Sequence, residues 1–300
     1  MTSVPIVPLT IFVPSVPLVP SVVFVTSVPI VIGSKKDKYV SRESLSVDGS
    51  LMTDIPRDHP RYRSLVTREL IVAGVREGIT SVQGLIAQGR GEAFDYLIGE
   101  RTTPSAAAAE KAAVAMMLLA ERPAISVNGN AAALAAGELC QLAAALDAPV
   151  EVNLFHRTEE RVQKIAGLLR SRGCGRVCGE SPDRLIPGLS HERARATAGG
   201  IWDADVVLVP LEDGDRCEAL VKMGKKVIVV DLNPLSRSAQ AATVTIVDNI
   251  VRALPAMAGL AREMKGMEMS DLEEIVEEFH NEETLALALD EIMVHLRDSR

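Results

Sequence analysis

The sequence predicts an α/β fold: a doubly wound parallel sheet, with a helical N-terminal section ahead of it and two helices closing the chain. Three observations carry that prediction. From Pro123 onward, short apolar runs alternate with helix-length segments, the order that right-handed βαβ units produce. Two runs, at residues 205–209 and 226–230, are almost wholly apolar and bounded by polar turns, as strands buried on both faces are. Aromatic residues make up only 3% of the chain while Ala, Val and Leu abound. That composition suits helices packed on a sheet and leaves few stacking platforms for single-stranded nucleic acid.

Residues 1–34 carry no charge and repeat T-S-V-P-I-V at 2–7 and 26–31. Such a stretch has the length to span a bilayer. Pro5, Pro8, Pro14, Pro17, Pro20 and Pro29 break any helix in it, each removing a backbone donor, and the basic start of a signal peptide is missing. Met52 opens M-T-D-I-P-R-D-H-P-R-Y-R, which reads as the start of an ordinary soluble protein. Residues 1–51 are therefore expected to be a low-complexity Pro/Val-rich extension, either disordered or translated from a misassigned start. Residues 52–300 form the folded domain.

The helical front section is expected over 52–122. Val66, Leu70 and Ala73 recur at helical spacing and Gly78 is a stop. Residues 80–91 contain Gly84, Gly89 and Gly91 and read as a loop, followed by a short helix over 92–98. Thr103-Pro104-Ser105 then opens an alanine-rich helix, with Pro in its first turn.

The sheet section, 123–265, places strands at 124–127, 150–154, 205–209, 226–230 and 243–247, with a minor strand at 176–177. The closing section, 266–300, has Ser270 and Glu273 in a capping-box pattern. Leu285, Leu289, Ile292 and Leu296 stripe its last helix. These two helices read as packing elements, with a subunit interface as one use.

A net charge of −8 argues against a general nucleic-acid binder. Cys140, Cys174, Cys178 and Cys217 show no paired zinc spacing and are expected as reduced thiols. The five histidines lack metal-ligand spacing, so no metal site is expected. Neither G-x-G-x-x-G after a strand nor G-x-x-x-x-G-K-[ST] occurs, and there is no nucleophile elbow.

Ligands of an open α/β sheet bind beyond the carboxyl ends of the strands. The polar residues there are Asn128, Gly129 and Asn130, then His156 and Arg157. Glu212, Asp213, Asp215 and Arg216 follow, then Asp231, Asn233, Ser236, Arg237 and Ser238, and last Asp248 and Asn249. Each alone is ordinary turn chemistry, but five decorated strand ends together imply a polar ligand. A carboxylate such as Asp231 can accept from a ribose, and Arg237 can neutralise a phosphate. Arg63, Arg68, Arg90, Arg101 and Arg157 lie beside loops or helix starts, where fixed cations would serve an anionic substrate. Solvated surface arginine is the plain alternative for any one of them.

Several blocks resemble one family. They are H-P-R-Y-R-S-L-V-T-R-E (59–69), G-L-I-A-Q-G-R-G-E-A-F-D-Y-L-I-G-E-R-T (84–102), S-V-N-G-N (126–130) and E-V-N-L-F-H-R-T-E-E-R (151–161), followed by V-P-L-E-D-G-D-R (209–216), D-L-N-P-L-S-R (231–237) and T-I-V-D-N (245–249). In this order they look like archaeal phosphopantothenate synthetase, also called 4-phosphopantoate–β-alanine ligase, over residues 54–300. The resemblance implies a cytoplasmic, homodimeric, Rossmann-like enzyme of coenzyme A biosynthesis. It would join 4-phosphopantoate to β-alanine through an acyl adenylate, with ATP as substrate, Mg2+ in attendance, and AMP and pyrophosphate released. Its ATP contacts carry over to Arg68, Arg90, Asp231, Leu232, Asn233, Arg237, Ser238, Asn249 and Ile250. Arg63, Arg101 and Arg157 become candidates for the phosphopantoate phosphate. Glu212, Asp213 and Asp215 become candidates for magnesium or the β-alanine ammonium. The same sheet leaves two other readings, a nucleotide-cofactor oxidoreductase and a non-catalytic adenylate-binding regulator.

Overall fold

The computed structural model describes residues 55–211 and 214–299. The expected extension over 1–51, the Met52 start, and Glu212 and Asp213 lie outside the described residues. The front section consists of α1 (Tyr62–Arg76), α2 (Val82–Leu97) and α3 (Pro104–Leu119). The sheet section follows as β1 (Pro123–Val127), α4 (Gly129–Leu146), β2 (Val150–Val152), α5 (Glu159–Ser171) and β3 (Val177–Cys178). A small hairpin, β4 (Arg184–Leu185) and β5 (Arg195–Ala196), precedes β6 (Val206–Pro210), α6 (Gly214–Lys222), β7 (Lys226–Val230), α7 (Arg237–Ala241) and β8 (Val244–Ile246). The chain then runs through α8 (Ile250–Met264), α9 (Met269–Glu277) and α10 (Asn281–Asp298).

The main sheet has six strands in the order β3-β2-β1-β6-β7-β8, and every pairing in it is parallel. This is the expected Rossmann-like, doubly wound α/β sheet. Strand alternation divides the core into two layers. Val206 and Leu208 of β6 face a layer shared with α3, α4 and α8, while Val207 and Val209 face Leu220 of α6 and Ile201. Fully burying one such side chain contributes ~1.5–3 kcal/mol, so the alternation fixes which way each strand end points. Chain growth reverses between β1 and β6, and at such a switch point the loops part to leave a crevice.

Three expectations are corrected. Residues 80–91 are not a loop, because α2 runs unbroken through Gly84, Gly89 and Gly91. Gly84 is there for close approach: a Cβ on it would stand 2.2 Å from Asn130 Oδ1 and 2.4 Å from Thr80 Oγ1. The Ser270/Glu273 capping box does not form, because α9 begins two residues earlier than it requires, at Met269 behind Glu268. Cys140 and Cys174 are joined as a disulfide, with their Cα atoms 4.7 Å apart, while Cys178 and Cys217 are thiols outside it. Cys140 lies on α4 and Cys174 just beyond α5, whose packing together brings residues separated by 34 positions into contact.

Candidate active site

The βα turns supply the polar edge of the sheet. At four helix starts the residue before the helix accepts a backbone N–H through its side chain: Asn128 from Ala131 at 2.9 Å, Thr158 from Arg161 at 3.2 Å, Ser236 from Ala239 at 3.0 Å and Asn249 from Val251 at 3.2 Å. Each bond satisfies a donor that the helix cannot satisfy itself. Three of the caps, Asn128, Ser236 and Asn249, also line one cavity of about 650 Å³. It sits at the switch point, with strand-end residues on one side and α2 residues, including Arg90 and Phe94, on the other.

The half of the cavity beyond β7 and β8 gathers most of the expected ATP contacts. Asp231, Leu232, Asn233, Arg237, Ser238, Asn249 and Ile250 all line it, together with Arg90 from α2. The Asp231 carboxylate accepts from the Asn233 N–H at 2.9 Å and from Ser236 Oγ at 2.5 Å. Burial pushes its pKa up, opposed by those two hydrogen bonds and by the Arg90 charge. Arg237 is exposed and reaches Glu218 at 2.8 Å. Asn249 donates its Nδ2 to Asp95 of α2 at 2.7 Å. Arg252 binds the same Asp95 at 2.6 Å and Asp248 at 2.5 Å, and Thr102 donates to Asp248 at 2.6 Å. Asn130 donates its Nδ2 to the Gly84 carbonyl at 2.9 Å. α2 is thus fastened near its start to the β1 turn and near its end to the β8 turn, with Arg90 between.

Arg68 lies outside that cavity. It lines a second groove of about 510 Å³ between α1 and α2, where it grips Glu92 with bonds of 2.8 and 2.9 Å. Arg63 and Arg101 are exposed and line neither cavity. The Arg157 guanidinium donates to the carbonyls of Gly179 at 2.8 Å and Glu180 at 3.3 Å, outside the cavity lining. Asp215 pairs with His191 Nε2 at 2.8 Å, and that ring packs on Phe155, whose centroid is 5.0 Å away.

Two arginines not singled out from the sequence line the β1–β2 half, Arg161 and Arg193. Arg161 is in the first turn of α5, a position that reads as solvated surface. Arg193 sits in the 3-10 turn Glu192–Ala194 before β5. That segment is strapped to β2 by side chains: Asn153 donates to the Arg195 carbonyl at 2.7 Å, and buried Glu151 accepts from Thr197 at 2.9 Å and Ile201 at 2.7 Å. The sequence signal for the strap was E-V-N, two polar residues on one face of an interior strand.

An open parallel sheet with an arginine-rich cavity at its switch point defines an α/β protein built to hold anionic ligands at the strand ends. Residues 105–295 match the family described as phosphopantothenate/pantothenate synthetase. The chain is 58% identical over 246 residues to a 4-phosphopantoate–β-alanine ligase of Methanosarcina mazei, covering 82% of this chain and 97% of that one. It is also 58% identical over 248 residues to the ligase of that name from Thermococcus kodakarensis, covering 82% and 94%. The corresponding figures for Methanospirillum hungatei are 52% over 242 residues, covering 81% and 98%. The chain belongs to the phosphopantothenate/pantothenate synthetase family.

Proposed function

We propose that this chain condenses 4-phosphopantoate with β-alanine, converting ATP to AMP and pyrophosphate and yielding 4'-phosphopantothenate for coenzyme A biosynthesis in the cytoplasm. The observation that carries this reading is the single cavity in which Arg90 faces Asp231, Asn233 and Asn249 across the carboxyl edge of the sheet. A carboxylate oxygen of 4-phosphopantoate attacks the α-phosphorus of ATP, and pyrophosphate leaves. The β-alanine amine then attacks the acyl carbon, loses a proton and displaces AMP. The site needs no covalent intermediate on the protein. Its work is positioning and charge stabilisation.

The residues divide accordingly. Asp231 accepts from the ribose hydroxyls, and Asn249 and Ile250 hold the base. Arg90 and Arg237 face the phosphates and offset the charge that builds on the departing pyrophosphate. Among the described residues no group of three or more His, Cys, Asp or Glu side chains could hold a metal ion. Mg2+ is assigned to the nucleotide's own phosphates, with Glu212, Asp213 and Asp215 as candidates to support it. Arg68 requires a second copy: in its own chain it points into the α1–α2 groove, so we assign it to the cavity of a partner in a homodimer. Among the described residues no helix is long and apolar enough to cross a membrane.

The test is direct. The full chain is incubated with ATP, Mg2+, 4-phosphopantoate and β-alanine, and AMP, pyrophosphate and phosphopantothenate are quantified. Stoichiometric appearance of all three is expected. ATP binding without pyrophosphate release in the complete mixture would instead favour an adenylate-binding regulator.

A further inference from the structure

We infer that Asp95 and Arg252, neither of which lines the cavity, are positioning residues for ATP: they hold the side chain of Asn249, and the turn it begins, in the one arrangement that receives the base. The inference rests on the ligase reading, in which Asn249 and Ile250 hold the base, and names what sets those two residues.

Asp95 lies in the last turn of α2 and Arg252 in the first turn of α8, three residues after Asn249. The Arg252 guanidinium forks across two carboxylates. It donates to Asp95 at 2.6 and 3.2 Å and to Asp248 at 2.5 and 2.8 Å. Both carboxylates then reach Asn249. Asp248 Oδ1 accepts its backbone N–H at 2.7 Å, and Asp95 Oδ2 accepts from its Nδ2 at 2.7 Å. The other Asp248 oxygen accepts from Thr102 Oγ1 at 2.6 Å. Asn249 Oδ1 turns the opposite way, onto the Val251 N–H at 3.2 Å. A carboxylate only accepts and a backbone N–H only donates, so these two neighbours leave the Asn249 amide one orientation.

Burial makes the arrangement stiff. Asp95, Asp248 and Asn249 are all buried, and the Arg252 side chain is only 14% exposed. Drawing two carboxylates and a guanidinium out of water costs much of what their attraction returns. Such a cluster contributes less to stability than to a single geometry.

The geometry it fixes belongs to the nucleotide half. Asn249 and Ile250 line the cavity beside Leu232 and Phe94, so a shift of this turn moves the wall that the base lies on. The β1 turn at the other end is held by separate bonds, from Asn128 Nδ2 to the Leu211 carbonyl at 2.8 Å and from Asn130 Nδ2 to the Gly84 carbonyl at 2.9 Å. Loss of Asp95 should therefore weaken ATP and spare the acid substrate.

Calorimetric titration with Mg2+-ATP of wild type, Asp95→Asn, Asn249→Ala and the double variant reads nucleotide affinity without turnover. Steady-state kinetics with 4-phosphopantoate read the other half of the cavity. Asp95→Asn is expected to weaken ATP binding at least about fivefold and to change KM for 4-phosphopantoate less than about twofold. The double variant should bind ATP within about twofold of Asn249→Ala alone, because one residue acting through another gives non-additive losses. A role in general stability would instead raise both KM values together or give additive losses in the cycle, and either result overturns the proposal. Unchanged ATP affinity in folded Asp95→Asn does the same. Thermal unfolding checks each variant, and Arg252→Lys, which keeps the charge but not the fork, carries the same cycle if Asp95→Asn does not fold. Wild type that binds ATP yet forms no AMP in the complete mixture would count against the ligase reading alone.

Discussion

Single residues behind the site set its pH response. Glu110 of α3 is 3% exposed, and its Oε1 has no partner among the described residues. Burial raises its pKa from 4.5 to about 8, the Asp248 charge adds to the rise, and Arg252 opposes it. A raised carboxyl pKa means that the folded state holds a proton which the unfolded state has released. Stability is therefore highest below about pH 4.5, falls as pH climbs toward 8, and has lost this contribution above that. The size is on the order of 5 kcal/mol across the window. Glu110→Gln should flatten that slope and be more stable than wild type at pH 9. Urea unfolding of both proteins at pH 5, 7 and 9 measures it, and parallel curves would show that Glu110 is ionised in the folded chain. Glu151 contributes a slope of the same sign, since burial lifts it to about 7 against the pull of its two backbone donors, so the wild-type profile alone does not isolate Glu110.

At the scale of elements, α2 decides whether the cavity is assembled. It touches the β1 turn through Gly84 and Asn130, and the β8 turn through Asp95, Asn249 and Arg252. Gly84→Ala should push α2 off the β1 turn, because the new Cβ meets Asn130 and Thr80 well inside contact distance. Overpacking of this kind costs ~1–3 kcal/mol. Activity should fall more steeply than stability, since Arg90 moves with the helix. Kinetics set beside thermal unfolding test this, and wild-type kcat/KM in the variant would remove α2 from the catalytic assembly. The same helix shows where reading a sequence stops. The strands, the alanine-rich α3 and the polar strand ends were legible, because apolar runs and proline and Asx punctuation are local signals. Glycine is ambiguous: Gly84 and Gly91 suggest a loop, yet both lie inside α2, where Gly84 makes room for Asn130. Arg161 and Arg193 were illegible for a related reason. What distinguishes them from surface arginines is the company that the fold gives them, not their neighbours in sequence.

For the whole molecule, the open question is what covers the outer side of α2. Val82, Leu85 and Ile86 are exposed there, Ile86 by 74%, and the adjoining groove holds Arg68 paired to Glu92. A second exposed apolar strip runs along α10, through Leu287, Val294 and Leu296. An arginine expected at the nucleotide but absent from its own chain's cavity favours the α1–α2 face, because docking a second copy there can deliver Arg68 across the interface. Ile86→Glu should then yield a folded monomer with activity reduced at least about tenfold, since one desolvated glutamate at an apolar contact is strongly unfavourable. Val294→Glu, on the other strip, should remain dimeric and active. Light scattering of the two variants and wild type, run beside the ligase assay, separates the cases. A monomeric and fully active wild type would mean that one chain completes the site alone. Dissociation by Val294→Glu and not by Ile86→Glu would move the interface to α10 and leave Arg68 without a nucleotide to reach.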